Sequence, residues 1–379
     1  MTQNRLQRLH DAGQSIWLDF IERGMLHDGG LQRRIVDDVL TGMTSNPTIF
    51  EKALAEGDVY DAQIRESAAG LSAGQLFELI ATTDVRNACD AFAGIYAATK
   101  GGDGYVSIEV SPSAANDAAA TIAEARRLWK TVGRPNVMIK VPGTVEGAKA
   151  VRQLISEGIN VNITLLFAIA AHDRVIDAYM AGLEDRVAAG KPIDGIASVA
   201  SFFVSRVDTE VDRRLDAMAQ QSGDAARELG ALHGRAAVAN AKLAYALFAQ
   251  RFASDRWRAL SAKGGRLQRP LWASTSTKNP AYRDVLYVED LIGPDTVNTM
   301  PPNTIDAFRD HGEVKRTVDA ELDRARAEIA AIEKAGIAME QVTGKLLADG
   351  LASFQKSFDS LLAGLARKSQ QLGRQLVAG

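Results

Sequence analysis

The chain has 379 residues, 46% of them hydrophobic and 24% charged, with a net charge of −3 at pH 7. That supplies a large core in one big or two ordinary domains, and the interspersed charge signs exclude a basic field for nucleic acid and a polybasic surface for a membrane. The single cysteine, Cys89, rules out an intramolecular disulfide and fits a reducing cytoplasm, while Met1-Thr2-Gln3-Asn4-Arg5-Leu6 lacks a signal-peptide core and no run approaches the ~20 apolar residues of a membrane span.

Short β-rich segments alternate with helical patterns, as in α/β folds. Successive strand residues point to opposite faces, so the first segment, Ser15 to Phe20, sets Ile16, Leu18 and Phe20 against Trp17 and Asp19. A helical pattern follows over Leu31, Ile35, Val36, Val39 and Leu40, and the second segment, Gly42 to Asn46, places Thr44 with Asn46. Phe50 to Gly104 is rich in Ala, Leu and charged residues and reads as paired helices. The third segment, Tyr105 to Ser111, opposes Val106, Ile108 and Val110 to Tyr105, Ser107 and Glu109. Ala115 to Val132 is a helix pattern with Ser113 as its cap.

The fourth segment is Asn136-Val137-Met138-Ile139-Lys140-Val141-Pro142, whose lysine shares a face with Met138. In a sheet covered on both sides that lysine is buried, and an ammonium there needs a partner or a function; the alternative is a strand-end lysine whose head reaches water. Thr144, with Glu146 soon after, starts the next helix. The fifth segment, Ile159 to Phe167, opposes Asn160, Asn162 and Thr164 to its aliphatic residues, and the sixth, Gly195 to Phe203, ends with Ser201 and Phe203 on one face. Asp208 to Arg269 again reads as helices; then come Pro270 to Ser276, with Trp272, Ser274 and Ser276 on one face, and Thr296 to Met300. Val314 to Gln371 is helical, with breaks expected at Gly336 and Gly350, and its stripe of Phe354, Phe358, Leu361, Leu362 and Leu365 is expected to pack on the chain's own barrel.

Eight such segments with helical crossovers predict an α/β fold of the (β/α)8 barrel type with additional helices, the doubly wound sheet being the alternative. With no linker or repeat, residues 1–379 are expected to form one domain, 314–379 being its helical extension. The polar residues opposite the aliphatic faces would then converge at the C-terminal mouth, where barrel active sites lie. His10, His27, His172, His233 and His311 are scattered without metal-ligand spacing, so no metal is expected. Gly143 to Lys149 fails the phosphate-loop spacing and reads as a helix start with an exposed lysine; no nucleophile elbow or dinucleotide fingerprint occurs.

What remains is an inward lysine among carboxylates, hydroxyls and amides. Lys140 suits nucleophilic attack on a ketone or aldehyde to give an iminium electron sink, with Asp19 and Glu109 as proton shuttles and Asn46, Asn162 and Ser201 as ligands for substrate hydroxyls. Ser205-Arg206 and Ser274-Thr275-Ser276-Thr277-Lys278-Asn279 follow the sixth and seventh segments and form a candidate phosphate cradle. The alternative is a capped, solvated loop with an Arg206–Asp208 ion pair.

Val137 to Pro142, Gly42-Met43-Thr44-Ser45-Asn46-Pro47, Val106 to Val110, Asn160 to Phe167 and Ser201-Phe202-Phe203-Val204-Ser205-Arg206 together resemble the transaldolase family, its longer bacterial branch most closely, over about Gln14 to Leu365. The resemblance implies a cofactor-free class I mechanism in the non-oxidative pentose phosphate pathway. A dihydroxyacetone unit would pass reversibly from sedoheptulose 7-phosphate to glyceraldehyde 3-phosphate, giving erythrose 4-phosphate and fructose 6-phosphate. It implies Lys140 as the Schiff-base lysine, Asp19 for the carbinol proton, and Glu109 with Thr164 for a water. Asn46, Asn162 and Ser201 would hold the dihydroxyacetone hydroxyls, and Arg206, Ser274 and Lys278 the phosphate, Lys278 replacing the arginine of shorter members. Ser276 departs from the glycine expected there. Fructose 6-phosphate aldolases of the same superfamily are shorter and usually carry tyrosine where this chain has Phe203; they are the nearest alternative, and a non-catalytic sugar-phosphate-binding barrel is another. The expected partners are sugar phosphates, with no nucleic acid, no membrane, no fused isomerase domain, and a monomer or homodimer.

Overall fold

The computed structural model describes residues 4–55, 57–67, 69–221, 226–373 and 376–377. Residues 1–3 and 378–379, the outer bounds of the expected single domain, lie outside them. Eight strands close a barrel in chain order: β1 (Gln14–Asp19), β2 (Leu40–Thr44), β3 (Tyr105–Glu109), β4 (Val137–Pro142), β5 (Val161–Leu166), β6 (Ser198–Phe203), β7 (Gln268–Ala273) and β8 (Thr296–Met300). Every neighbouring pair is parallel, including β1 with β8. Helices cover the outside, so strands such as β4 are buried at every residue and read as apolar runs. The long connections are helical as expected, the first through Pro47–Ala55, Asp61–Ser67 and Ala73–Ala98, the second chiefly through Ser205–Ala219 and Ala236–Arg251. Among the described residues no helix is long and apolar enough to cross a membrane. Cys89 is fully buried in the helix Ala73–Ala98, and burial pushes its thiol well above the ordinary range.

One end of the barrel is plugged. A Cβ at Gly42 would lie 2.5 Å from the Trp17 indole, so the ring occupies the space that a side chain at 42 would need. Trp17 Nε1 donates to Asp103 Oδ1 at 2.8 Å, and Arg269 joins this layer, donating to Ser15 Oγ at 2.7 Å. The inward polar row begins above that layer. In register, Asp19 lies beside Thr44, and Glu109 beside Lys140, which lies beside Asn162.

Five local expectations differ from the structure. β2 begins two residues earlier than expected, because Val39 (φ 56) turns the chain from the helix Gly30–Asp37 directly into the strand; Val39 and Leu40 are therefore not helical. Asn46 lies past the strand, where its Oδ1 accepts the Ile49 N–H at 3.0 Å at the start of Pro47–Ala55. β7 ends at Ala273, and Trp272, in register with Phe202 and edge-on to it, packs outward with Nε1 donating to Leu291 O at 3.1 Å. Ser274 (φ 56) then re-aims the chain, so Ala273 and Ser274 reach the mouth and Trp272 does not. Asp117, not Ser113, caps the helix Ala118–Val132, accepting from Ala120 N at 2.9 Å. Finally, the break at Gly336 (φ 104) is present, but the helix Met339–Gln371 runs through Gly350 without interruption. That glycine permits close approach instead: a Cβ there would lie 2.9 Å from Leu165 Cδ2.

His172, on the helix Ile169–Ala188, is fully buried against Phe202, and neither ring nitrogen has a hydrogen-bond partner among the described residues. Burial lowers its pKa from 6.5 to about 4. The folded state therefore resists a proton that the unfolded chain accepts: this contribution to stability is full above pH 6.5 and is lost as pH falls from 6.5 towards 4. His172→Leu is expected to lose less Tm than the parent between pH 7 and 5, measured by thermal scans.

Candidate active site

At the C-terminal end of the strands lies a cavity of about 440 Å³. Asp19, Asn46, Lys140, Thr164, Ser201, Phe203, Arg206, Ser274 and Lys278 all line it, together with Thr44 and Ser276. Period-two alternation on separate strands brings many of them together, and the starts of the helices Pro47–Ala55 and Ser205–Ala219 and the loop that opens at Ser274 bring the rest.

Lys140 is the centre. Its Nζ lies 3.1 Å from Glu109 Oε2 and donates to Ser45 O at 3.1 Å, with side-chain exposures of 6% for the lysine and 4% for the glutamate. A strand-end lysine reaching water is thereby excluded. Burial pushes the Glu109 carboxyl up, and Lys140 opposes that rise. Asp19 Oδ1 accepts from Thr44 Oγ1 at 2.7 Å, and the Thr44 hydroxyl lies 2.6 Å from that of Thr299. Asp19 faces the cavity but lies deep, so burial dominates and raises its pKa, against the pull of Lys140, the Thr44 hydrogen bond, Arg206 and Lys278. A carboxyl held above its usual range, in one cavity with an amine, is suited to taking and returning a proton.

Two expected residues do not line this cavity. Glu109 stands behind Lys140 and borders a neighbouring apolar groove of about 770 Å³ between β3 and the helices Ala73–Ala98 and Ala118–Val132. Asn162 is fully buried with both ends of its amide engaged: Nδ2 donates to Ser107 Oγ at 3.0 Å and Oδ1 accepts from Ser201 Oγ at 2.7 Å. It holds Ser201 in place and reaches the cavity only through it. The Thr164 hydroxyl is buried without a partner among the described residues, which leaves it free to hold a small polar molecule.

Also in this cavity, the Arg206 guanidinium lies 5.1 Å from the Phe203 ring. Among the described residues it makes no ion pair, because Asp208 is spent elsewhere: its Oδ1 accepts from Ala237 N at 2.7 Å and its Oδ2 from Tyr287 OH at 2.8 Å. Burial pushes the Asp208 carboxyl up to about 7. The solvated Arg206–Asp208 pair is therefore not formed, and the guanidinium faces the cavity. Ser274 Oγ lies 3.0 Å from Ser205 Oγ, and Lys278 Nζ donates to Ser276 Oγ at 2.6 Å, so the serine in place of the expected glycine orients the lysine.

Thr299 and Phe354 also line the cavity and were not singled out as site residues. Thr299 was within reach of the alternation rule, since it is in register with inward Trp17. Phe354 gave no such signal, because one aromatic of a helical stripe looks like core.

The family model described as transaldolase/fructose-6-phosphate aldolase matches residues 16–365. The chain is 47% identical to the transaldolase of Frankia alni over 98% of both chains. It is 49% identical to that of Thermobifida fusca, covering 96% of this chain and 98% of the relative, and 46% identical to that of Trichodesmium erythraeum, covering 98% and 99%. The chain belongs to the transaldolase/fructose-6-phosphate aldolase family, whose members act on sugar phosphates. Its activity is of the transaldolase kind, a transferase reaction of the pentose phosphate pathway.

Proposed function

We propose that the chain transfers a dihydroxyacetone unit from sedoheptulose 7-phosphate to glyceraldehyde 3-phosphate, reversibly, through a Schiff base on Lys140. The observation that carries this is the Lys140 amine held between Glu109 and Ser45 O at 3.1 Å each, in one cavity with Asp19. Lys140 gives up its proton and attacks the donor ketone; loss of water leaves an iminium that accepts the electrons of the breaking carbon–carbon bond. Asp19 takes the proton of the carbinol whose bond breaks and returns it to the new alcohol when the acceptor aldehyde adds. Glu109, with the unpartnered Thr164 hydroxyl, holds the water released and consumed at the imine. Asn46 and Ser201 hold the hydroxyls of the three-carbon unit, Asn162 acting through Ser201.

Arg206, Ser274 and Lys278 bind the phosphate. A hydrogen bond to a charged partner is worth about 2 kcal/mol, so Arg206→Ala is expected to raise KM for phosphorylated sugars about 30-fold, with a smaller effect on kcat. Arg206→Lys should recover only part of this, because the fork is lost. Steady-state kinetics on both variants check it.

Phe203 and the chain length favour transfer over release of free dihydroxyacetone, and the complete lysine–carboxylate set disfavours a non-catalytic barrel. With fructose 6-phosphate alone little turnover is expected, and adding erythrose 4-phosphate should start it; equal turnover without acceptor would make this an aldolase. The same reading takes the chain as a single cytoplasmic domain, monomeric or homodimeric, without nucleic-acid or membrane partners.

A further inference from the structure

The C-terminal helix Met339–Gln371 crosses the mouth of the barrel, and we propose that its Phe354 is a specificity-determining residue that keeps solvent protons off the enamine on Lys140 until an acceptor sugar arrives. This rests on the Schiff-base reading above and goes beyond it by naming what favours transfer over release.

The placement is tight. At Gly350 the helix backbone sits on the barrel, with a Cβ there meeting Leu165 Cδ2 at 2.9 Å and Arg206 Nη1 at 3.7 Å. One turn on, Phe354 is 4% exposed and lines the cavity, with Lys140 Nζ 5.9 Å from its ring centroid. The next turn is pinned. Phe358 meets Phe77 edge-on at 5.6 Å, Phe77 meets Phe50 at 5.5 Å, and Thr48 Oγ1 donates to Ser357 Oγ at 2.9 Å. Thr48 and Phe50 belong to the helix Pro47–Ala55, which directly follows Asn46, so the ring and a substrate-hydroxyl ligand share one support. Phe354 is therefore a standing wall beside the amine.

After the donor is cleaved, three carbons remain on Lys140 as an enamine with two fates. In transfer, its nucleophilic carbon bonds to the acceptor aldehyde, whose oxygen takes a proton. In release, that carbon takes a proton instead; the resulting iminium adds water, the carbon–nitrogen bond breaks, and dihydroxyacetone leaves carrying the oxygen of the water while the lysine amine is restored. Both fates end when an iminium, of dihydroxyacetone in release or of the new ketose in transfer, is hydrolysed by one water that balances the water lost at imine formation, so what sets release apart is its first step, proton delivery to carbon. An aromatic ring over this part of the cavity excludes the water that would deliver it, while the end lined by Arg206 and Lys278 stays open to a phosphorylated aldehyde. The water for the final hydrolysis is the one assigned above to Glu109 and Thr164.

The test compares the full-length parent with Phe354→Ala and the near-isosteric Phe354→Leu and Phe354→Met. Dihydroxyacetone release is measured from fructose 6-phosphate alone in deuterium oxide, and transfer with erythrose 4-phosphate present. The ratio of release to transfer is expected to rise about tenfold in Phe354→Ala and by less in Phe354→Leu and Phe354→Met, with deuterium on the released ketone. If the alanine variant unfolds, the leucine and methionine variants decide. An unchanged ratio, with release and transfer falling together, overturns the proposal and leaves Phe354 a packing residue. Failure of the underlying reading looks different: the parent itself would turn over without acceptor, or would never be trapped by borohydride.

Discussion

Lys140→Met is expected to lower kcat by at least ~10⁴-fold, because it removes the nucleophile while leaving the carboxylates and phosphate ligands in place. Borohydride with donor sugar should fix one three-carbon adduct on the parent and none on the variant, read as a mass increase that maps to the β4 peptide. Persistence of the adduct in Lys140→Met would place the amine elsewhere. The variant should still fold. Truncating one partner of a buried ion pair is ordinarily severe, but burial already drives Glu109 towards its neutral form, and without Lys140 nothing opposes that. The glutamic acid would then be buried uncharged, the cheaper state.

Asp19→Asn is the second large effect, with kcat falling about 10²- to 10⁴-fold for a lost acid–base group. The raised pKa of Asp19 gives two further readouts. In the parent the base must be ionised, so activity should fall as pH drops through that raised value, and the acid limb of kcat/KM should lie above the ordinary carboxylate range near 3.8. Its sign in stability is opposite. A carboxyl whose folded pKa is raised stabilises the fold below the unfolded value, and that contribution is lost as pH rises through the folded one. Burial disfavours the ionised carboxylate, so the asparagine variant, still able to accept from Thr44, should melt higher than the parent at pH 7. A lower melting point at neutral pH would show that the charge supports the mouth of the barrel.

The barrel and most of its inward row were legible because a buried strand must keep period two, and an Asp, Lys or Asn opposite an aliphatic face is conspicuous. Legibility failed where a single dihedral resets the parity. Ser274 and Val39 both sit at φ 56, and neither residue type announces a left-handed turn; hence Trp272 was expected to face inward and Val39 to be helical. Asn46 kept its place at the mouth but by another route, as the start of a helix. Gly350 was ambiguous in kind, since a glycine in a helical pattern marks either an end or a close approach, and only the position of Leu165 and Arg206 decides. Phe354 was hidden because packing and lining a cavity use the same aromatic. Asn162, expected to touch substrate, shows the reverse: alternation gives the face a residue points to, not whether a neighbour such as Ser201 stands in front of it.

The plug beneath the site links two positions far more tightly than either sequence context shows. With the Trp17 ring within 2.5 Å of where a Cβ at 42 would sit, a larger residue at 42 requires a smaller one at 17, and a smaller residue at 17 alone opens a void under the reacting groups. Neither step is neutral by itself, so the pair changes together or not at all, and the two effects are non-additive. Such a lock makes the barrel floor tolerant only of paired changes at 17 and 42.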